Sequence, residues 1–192
     1  MRTVDLSLPI AAGMRVAHLA DPKAVVATLP RLRPTFLVVA PRVLQRIRAA
    51  VADKAEKARL GRVYADADAT AVRWGAHLER QQDEPGARPA VGLRLKHALY
   101  DRLFYRRIRD LLGGRIGYLL SGAATLGAEL ALYFRGVGVP VIEGYGLTET
   151  TAPATGQLPG DLRAGTVGVP IPGTAVRIGD DGEIQVRGGG VV

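Results

Sequence analysis

Residues Gly144–Thr150, Gly-Tyr-Gly-Leu-Thr-Glu-Thr, bring an aromatic ring, two glycines, a hydroxyl and a carboxylate into one short stretch. These residue types can offer a ring face to a planar base, a hydroxyl to a phosphate oxygen and a hard oxygen ligand to Mg²⁺. The stretch follows Val139-Pro140-Val141-Ile142, an apolar run that reads as a buried strand ending at Glu143. Open α/β sheets bind ligands just beyond the carboxyl ends of their strands, which is where a turn over Gly144–Thr150 would lie. Tyr145 alone could be a core aromatic, and Thr148 with Glu149 alone reads as an N-cap pair. Glu143 reads as a strand-end residue outside the site.

A second small-residue segment, Ser121-Gly-Ala-Ala-Thr-Leu126, follows an apolar run at Ile116–Leu120 and precedes a helical pattern at Gly127–Phe134. Strand, helix and strand in that order imply a parallel pair joined by a right-handed crossover. The two loops then arrive at the same sheet edge. Gly122, Ala123 and Ala124 would form a flat backbone wall facing Tyr145, with a slot for a planar base between them. That is a nucleotide site in outline.

Upstream, Met14–Leu19 reads as a short strand. Asp21-Pro22 signals a helix start, with Asp as N-cap and Pro in the first turn, and Pro30–Pro34 its end. Thr35–Ala40 is apolar and β-branched, as expected of a strand buried on both faces. Pro41 opens a helix whose apolar face is Val43, Leu44, Ile47 and Val51, with Asp53 and Lys57 spaced for an ion pair. Val63, Ala67, Ala71, Trp74 and Leu78 mark the next helix, and Gln81–Pro89 a solvated loop. Leu95, Leu99, Leu103, Ile108 and Leu111–Leu112 mark the apolar stripe of another, ended by Gly113-Gly114. Trp74 reads as a core residue, and His18, His77 and His97 read as structural or solvated. Beyond Thr151 the texture becomes Gly- and Pro-rich, and Thr174–Ile178 with Glu183–Arg187 around Gly179-Asp-Asp-Gly182 predicts a β-hairpin.

Composition narrows the function classes. At 47% hydrophobic the chain is a folding one, and its 192 residues suffice for one sizeable core. Cysteine is absent, which excludes disulfides and Cys-based metal sites, and three scattered histidines give no zinc pattern. No run approaches the length of a membrane span, and the first residues lack the apolar core of a secretory signal. A cytoplasmic setting is the default expectation. The net charge of +8 admits anionic partners. Arg102, Arg106, Arg107, Arg109 and Arg115 make the last long helix cationic and amphipathic. A solvated face is its plain reading, with peripheral contact at the inner face of an anionic membrane as the alternative. Nothing resembles a nucleic-acid-binding module, so no nucleic-acid partner is expected.

Gly-Tyr-Gly-Leu-Thr-Glu, the small-residue loop before it, Gly165-Thr-Val-Gly168 and Asp181-Gly-Glu-Ile-Gln-Val-Arg-Gly188 together resemble the adenylate-forming, AMP-binding superfamily. Arg33-Pro-Thr-Phe with Pro41-Arg-Val, the helical insertion after it and Gly92–Leu103 are similar to its long-chain fatty acyl-CoA synthetase branch. The resemblance runs from about Gly13 to Gly188. It implies an α/β fold: part of the large N-terminal domain of an acyl-CoA synthetase, a mainly parallel sheet flanked by helices, followed by the start of a small β-rich subdomain. Residues 1–160 would be a partial AMP-binding domain with a helical insertion at about 42–112, and residues 161–192 the truncated start of the β-rich part.

The resemblance also implies roles. Tyr145 would stack on adenine between Gly144 and Gly146, Thr148 would contact the α-phosphate, and Glu149 would hold Mg²⁺. Gly122, Ala123 and Ala124 would form the opposing wall. ATP, a fatty acid and coenzyme A would be the substrates. Ala123 and Thr125 stand where the family has Gly and Pro. No Ser/Thr/Gly-rich phosphate loop ending in Pro-Lys-Gly is found, and the ribose-binding Asp and lysine-bearing C-terminal domain are unmatched. The chain thus resembles the middle part of such an enzyme and is expected to be inactive without its flanking segments. A non-catalytic relic or a weak nucleotide- or membrane-binding fragment is the alternative.

Overall fold

The computed structural model describes residues 8–19, 24–122 and 124–192. Its elements are α1 (Leu8–Ala11), α2 (Val25–Leu32), β1 (Phe36–Val39), α3 (Pro41–Lys57), α4 (Gly61–Asp83) and α5 (Val91–Tyr100). A π-helical turn (Asp101–Tyr105) leads into α6 (Arg106–Leu111), followed by β2 (Tyr118–Ser121), α7 (Ala128–Val137) and β3 (Val141–Leu147). Four strands complete the chain: β4 (Ala152–Gly156), β5 (Val169–Pro170), β6 (Thr174–Ile178) and β7 (Ile184–Gly188).

Strands β1 to β5 form one sheet in sequential order. The β1–β2 and β2–β3 pairs are parallel, so each needs a crossover, supplied by α3–α6 and by α7. β4 and β5 add antiparallel to the β3 edge. In-register partners in parallel strands share a face, and the burial follows that rule. Leu37 and Val39, Leu119 and Val141 lie on the face that joins the main core with Leu44, Tyr105, Ile108, Tyr133 and Phe134. Phe36, Val38, Tyr118, Leu120 and Ile142, on the other face, are half-buried. The fold is α/β, a parallel-rich sheet with helices packed on it, as the sequence predicts.

The helical layer turns on α4 and α7, which approach backbone to backbone. A Cβ on Gly75 would lie 2.1 Å from the Leu132 carbonyl oxygen, and one on Gly136 would lie 1.9 Å from that of Ala71. Around this crossing Tyr64 meets Phe104 edge-on at 5.4 Å. Trp74 stacks on His97 at 4.2 Å, and His97 Nε2 bonds the Gly136 carbonyl oxygen at 2.8 Å. Trp74 and the two described histidines of this cluster, His77 and His97, are packing residues.

Several expectations are corrected. Met14–Leu19 forms no strand, having no ladder partner among the described residues. The proposed Asp21-Pro22 helix start lies outside the described residues, and α2 passes through Pro30 before Arg33 closes it at φ 48°. β1 is half-buried on both faces because it is the sheet edge. Val63 is 40% exposed, while its neighbour Tyr64 takes the buried place. The Asp53–Lys57 pair is absent from the ion pairs of the described residues. The stripe Leu95, Leu99 and Leu103 faces outward, because the aromatic Tyr100 and Phe104, at the same spacing, claim the buried side. Arg109 is no free surface cation: it bonds Asp101 at 2.6 Å and the Val137 carbonyl oxygen at 2.7 Å. The expected hairpin forms, but its second strand is Ile184–Gly188, one residue later than Glu183–Arg187, with Thr174 opposite Gly188 and Ile178 opposite Ile184.

Candidate functional site

The site is built where β2 ends beside the middle of β3. Ser121 pairs in register with Glu143, so the next residues, Gly122 and Gly144, continue as neighbours. A Cβ on Gly122 would lie 3.8 Å from the Gly144 carbonyl oxygen, so the two backbones run within contact distance. From here the first chain enters the loop 122–127 and the second carries Tyr145, Thr148 and Glu149. Gly122 is half-buried and Ala124 exposed; Ala123 lies outside the described residues.

Gly144–Gly146 belongs to a strand, a correction to the turn expected from Gly144 onward. β3 continues to Leu147 because β4 pairs with it: Gly144 with Gly156, Tyr145 with Thr155, Gly146 with Pro153. The ladder slips between Tyr145 and Gly146. Such a bulge bends the strand and re-aims a side chain, and bulges gather beside active sites. Tyr145 is half-buried there, and among the described residues its hydroxyl has no hydrogen-bond partner and its ring no aromatic neighbour. Pro153 and Gly156 disguise β4 in the sequence, which is why the longer strand is hard to read.

The turn proper is Thr148–Thr151. Thr150 Oγ1 accepts from the Leu147 N–H at 2.9 Å and donates to its carbonyl oxygen at 3.0 Å, while Thr151 sits at φ 56°. Thr148 and Glu149 are exposed on this turn. The segment after β7 straps it from outside. Val192 N–H donates to the Glu149 carbonyl oxygen at 2.9 Å, and Thr151 Oγ1 donates to that of Gly190 at 2.7 Å.

Mg²⁺ in nucleotide enzymes takes one or two protein carboxylates and completes its shell with phosphates and water. No group of three or more His, Cys, Asp or Glu gathers among the described residues. Glu149, a single exposed carboxylate beside a hydroxyl, fits the first mode of binding and not a protein cage.

Sequence reasoning missed two residues. Glu143, 5% exposed, accepts a hydrogen bond from the Leu126 N–H at 3.0 Å through Oε1. Gln157, 7% exposed, bonds the backbone of Glu143 from the position just after β4. Period-two alternation from Val141 places Glu143 on the core face, and that was the available signal. Nothing in the sequence marks Gln157.

A groove of about 770 Å³ between α3, α4 and the start of α7 touches the loop at Leu126 and Gly127 but includes none of Tyr145, Thr148 and Glu149. Arg48, Tyr64, Asp68 and Glu129 in its walls are already paired. Arg48 bonds Asp68 at 2.5 Å and Glu129 at 2.7 Å and lies 4.7 Å over the Tyr133 ring. The hydrogen bond to Asp68 raises the Arg48 pKa, and burial raises that of Tyr133, whose hydroxyl meets Tyr64 at 2.8 Å. This cluster pins the first turn of α7, and with it the end of the loop, to the helical layer.

The chain matches the family described as "AMP-binding enzyme" over residues 1–192. It is 42% identical over 174 residues to the long-chain-fatty-acid–CoA ligase FadD15 of Mycobacterium bovis, covering 91% of this chain and 28% of that protein. It is 30% identical over 180 residues to the human long-chain-fatty-acid–CoA ligase 1, covering 88% of this chain and 24% of the relative. Among solved structures, the benzoate CoA ligase of Burkholderia xenovorans LB400 superposes with a TM-score of 0.56 at 17% identity, over 97% of this chain and 30% of that one. The anthranilate CoA ligase AuaEII, solved with anthranoyl-AMP, gives 0.55 at 17% over 97% of this chain and 28% of its own. These two show the fold alone. The chain belongs to the AMP-binding enzyme family. It spans between a quarter and a third of the length of the first relatives it matches.

Proposed function

We propose that this chain carries the adenine, α-phosphate and magnesium contacts of an AMP-forming ligase that activates a long-chain fatty acid. The observation that carries the reading is the neighbouring exit of the 122–127 loop and the Tyr145 bulge from β2 and β3. In this reading adenine lies between the Gly122–Ala124 backbone and the Tyr145 ring, with Gly144 and Gly146 leaving room on either side. Thr148 donates to an α-phosphate oxygen, and Glu149 holds Mg²⁺. The bound metal neutralises phosphate charge. The fatty carboxylate attacks the α-phosphorus and expels pyrophosphate, giving the acyl-adenylate; the coenzyme A thiol then attacks the acyl carbon and releases AMP. The 42% identity to a long-chain ligase supports the substrate class.

Residues 1–160 then serve as part of the nucleotide-binding domain, with the helical insertion at about 42–112, and 161–192 as the start of a β-rich unit. The 192-residue chain by itself has little ligase activity, because the triphosphate cradle and the C-terminal lysine domain of the family are not matched in it. Two measurements check this. Titration with a fluorescent AMP analogue should show weak binding that Tyr145→Ala lowers about tenfold, the scale of base–aromatic stacking. Pyrophosphate release with palmitate, ATP and Mg²⁺ should stay at background, and robust turnover by this chain would overturn the incompleteness.

A second reading concerns the surface. Val91, Leu95, Leu99 and Leu103 are 74, 66, 56 and 42% exposed in one row along α5 and the π turn, beside exposed Arg88, Arg94, Arg102 and Arg106. That row supports peripheral docking on an anionic membrane, from which a fatty acid would be drawn.

A further inference from the structure

We infer that Glu143 is a positioning residue for the base slot, acting with Gln157 as a latch that fixes the distance between the 122–127 loop and the Tyr145 strand. The inference rests on the nucleotide reading of that slot. Three polar side chains are buried together where a sheet core would ordinarily be apolar. Ser121 is fully buried, Glu143 is 5% and Gln157 7% exposed. Ser121 and Glu143 are in register on one face of the sheet, and the Ser121 hydroxyl has no hydrogen-bond partner among the described residues. Burying a carboxyl group is costly without compensating hydrogen bonds, whereas a leucine of similar volume would pack freely. A glutamate here needs a task.

Its bonds describe one. Oε1 accepts from the Leu126 N–H at 3.0 Å, the last residue of the loop before Gly127 opens α7. The Glu143 backbone is clamped from the other side: its N–H donates to Gln157 Oε1 at 3.2 Å, and the Gln157 N–H donates to its carbonyl oxygen at 3.0 Å. The Gln157 amide nitrogen donates onward to the carbonyl oxygens of Arg163 at 2.5 Å and Thr166 at 2.9 Å. Glu143 immediately precedes Gly144-Tyr145-Gly146. One side chain therefore ties the end of one wall of the slot to the strand that carries the other, and Gln157 ties that strand to the turn at 163–166. The slot's width is set by side-chain bonds and not by the sheet ladder alone, which ends for β2 at Ser121. The latch would hold the slot to the thickness of a base and its edges to one pattern, so its loss costs base selectivity as well as affinity.

The test uses the 192-residue chain and three variants. Glu143→Gln keeps an acceptor oxygen in place; Glu143→Leu removes it; Glu143→Asp withdraws it by one methylene and covers the case in which the leucine variant fails to fold. AMP and GMP affinities are measured by titration, and amide exchange is followed in the 122–127 loop and in α4. The Leu and Asp variants should lose about tenfold in AMP affinity, the scale of one hydrogen bond to a charged or strongly polar group, with the AMP-to-GMP preference falling towards unity. Loop exchange should rise while α4 stays protected, and the Gln variant should keep both properties. Unchanged base preference and loop protection in Leu and Asp would refute the latch. So would equal loss in all three variants accompanied by exposure of α4, which marks a fold defect. A wild-type chain that binds neither nucleotide would instead refute the base-slot reading, and with it the role built on that reading.

Discussion

Asp66 shows how a single side chain links α4 to α5. Its carboxylate takes Lys96 Nζ at 2.8 and 3.0 Å and the Tyr100 hydroxyl at 2.5 Å. The Lys96 bond, then the Tyr100 bond, hold its pKa below the ordinary aspartate range, and the same contact pushes the Tyr100 pKa up. A folded pKa depressed below the unfolded value of about 3.9 means the stabilisation is complete above that pH. It is lost as pH falls from there through the folded midpoint. The side chain is 37% exposed, so solvent screening keeps the contribution to global stability small, and the effect should be local. Carboxyl NMR should place the Asp66 midpoint below about 3.9. Amide exchange in α5 should accelerate across that window, and Asp66→Asn should remove the pH dependence; a midpoint at the ordinary value would contradict this account. The types of residue in the candidate site were legible: Tyr145, Thr148 and Glu149 stand out by chemistry and spacing. Their support was not, because Glu143 looks like a strand end until its burial and its bond to Leu126 are seen.

At the scale of elements, the α4–α7 crossing decides how closely the helical layer sits over β2 and β3. Its two glycines leave no room. A methyl on Gly136 would lie 1.9 Å from the Ala71 oxygen and 2.6 Å from its carbon, both main-chain atoms that move only if the helix moves. Gly136→Ala should therefore cost about 2–3 kcal/mol by overpacking. Gly92→Ala in α5, where nothing lies within 4 Å, should be neutral or stabilising by up to about 1 kcal/mol. Urea denaturation of the two variants makes the comparison, and equal stability would mean that the helices can part freely. The parallel pairing of β2 with β3 was readable because an apolar run, a helical period and a second apolar run follow one another from Ile116 onward. The contact of Gly75 with Leu132 and of Gly136 with Ala71 was not, since a helical glycine looks alike in sequence whether it faces water or a backbone. The outward row of Leu95, Leu99 and Leu103 escaped for a related reason. Two faces of that helix carry large apolar residues, and only the packing of Phe104 against Tyr64, with Tyr100 against Phe104, decides which is inside.

For the whole molecule, the consequence of that choice is an apolar row turned outward within the most basic part of the chain. Residues 88–115 hold eight Lys or Arg against two Asp. Arg109 and Lys96 are engaged with Asp101 and Asp66, which leaves Arg88, Arg94, Arg102, Arg106, Arg107 and Arg115 exposed around the leucines. An interfacial helix needs this combination: apolar side chains to enter the acyl boundary, and cations worth about 1 kcal/mol each near an anionic surface. No helix of the described residues is long and apolar enough to cross a bilayer, so contact through these residues would lie along the surface. The chain should float with phosphatidylglycerol-containing vesicles at low salt and not with phosphatidylcholine alone. It should be released near 0.5 M salt, where screening acts within about 4 Å. Leu95→Glu with Leu99→Glu changes only exposed positions and should abolish flotation without lowering the melting temperature. Replacing Arg94, Arg102 and Arg106 by Gln should weaken binding and reduce its salt dependence. If the double glutamate variant floats like the wild type, the row is not the docking face. If the wild type runs as a dimer that the same substitutions split, a second copy covers the row and the membrane reading falls.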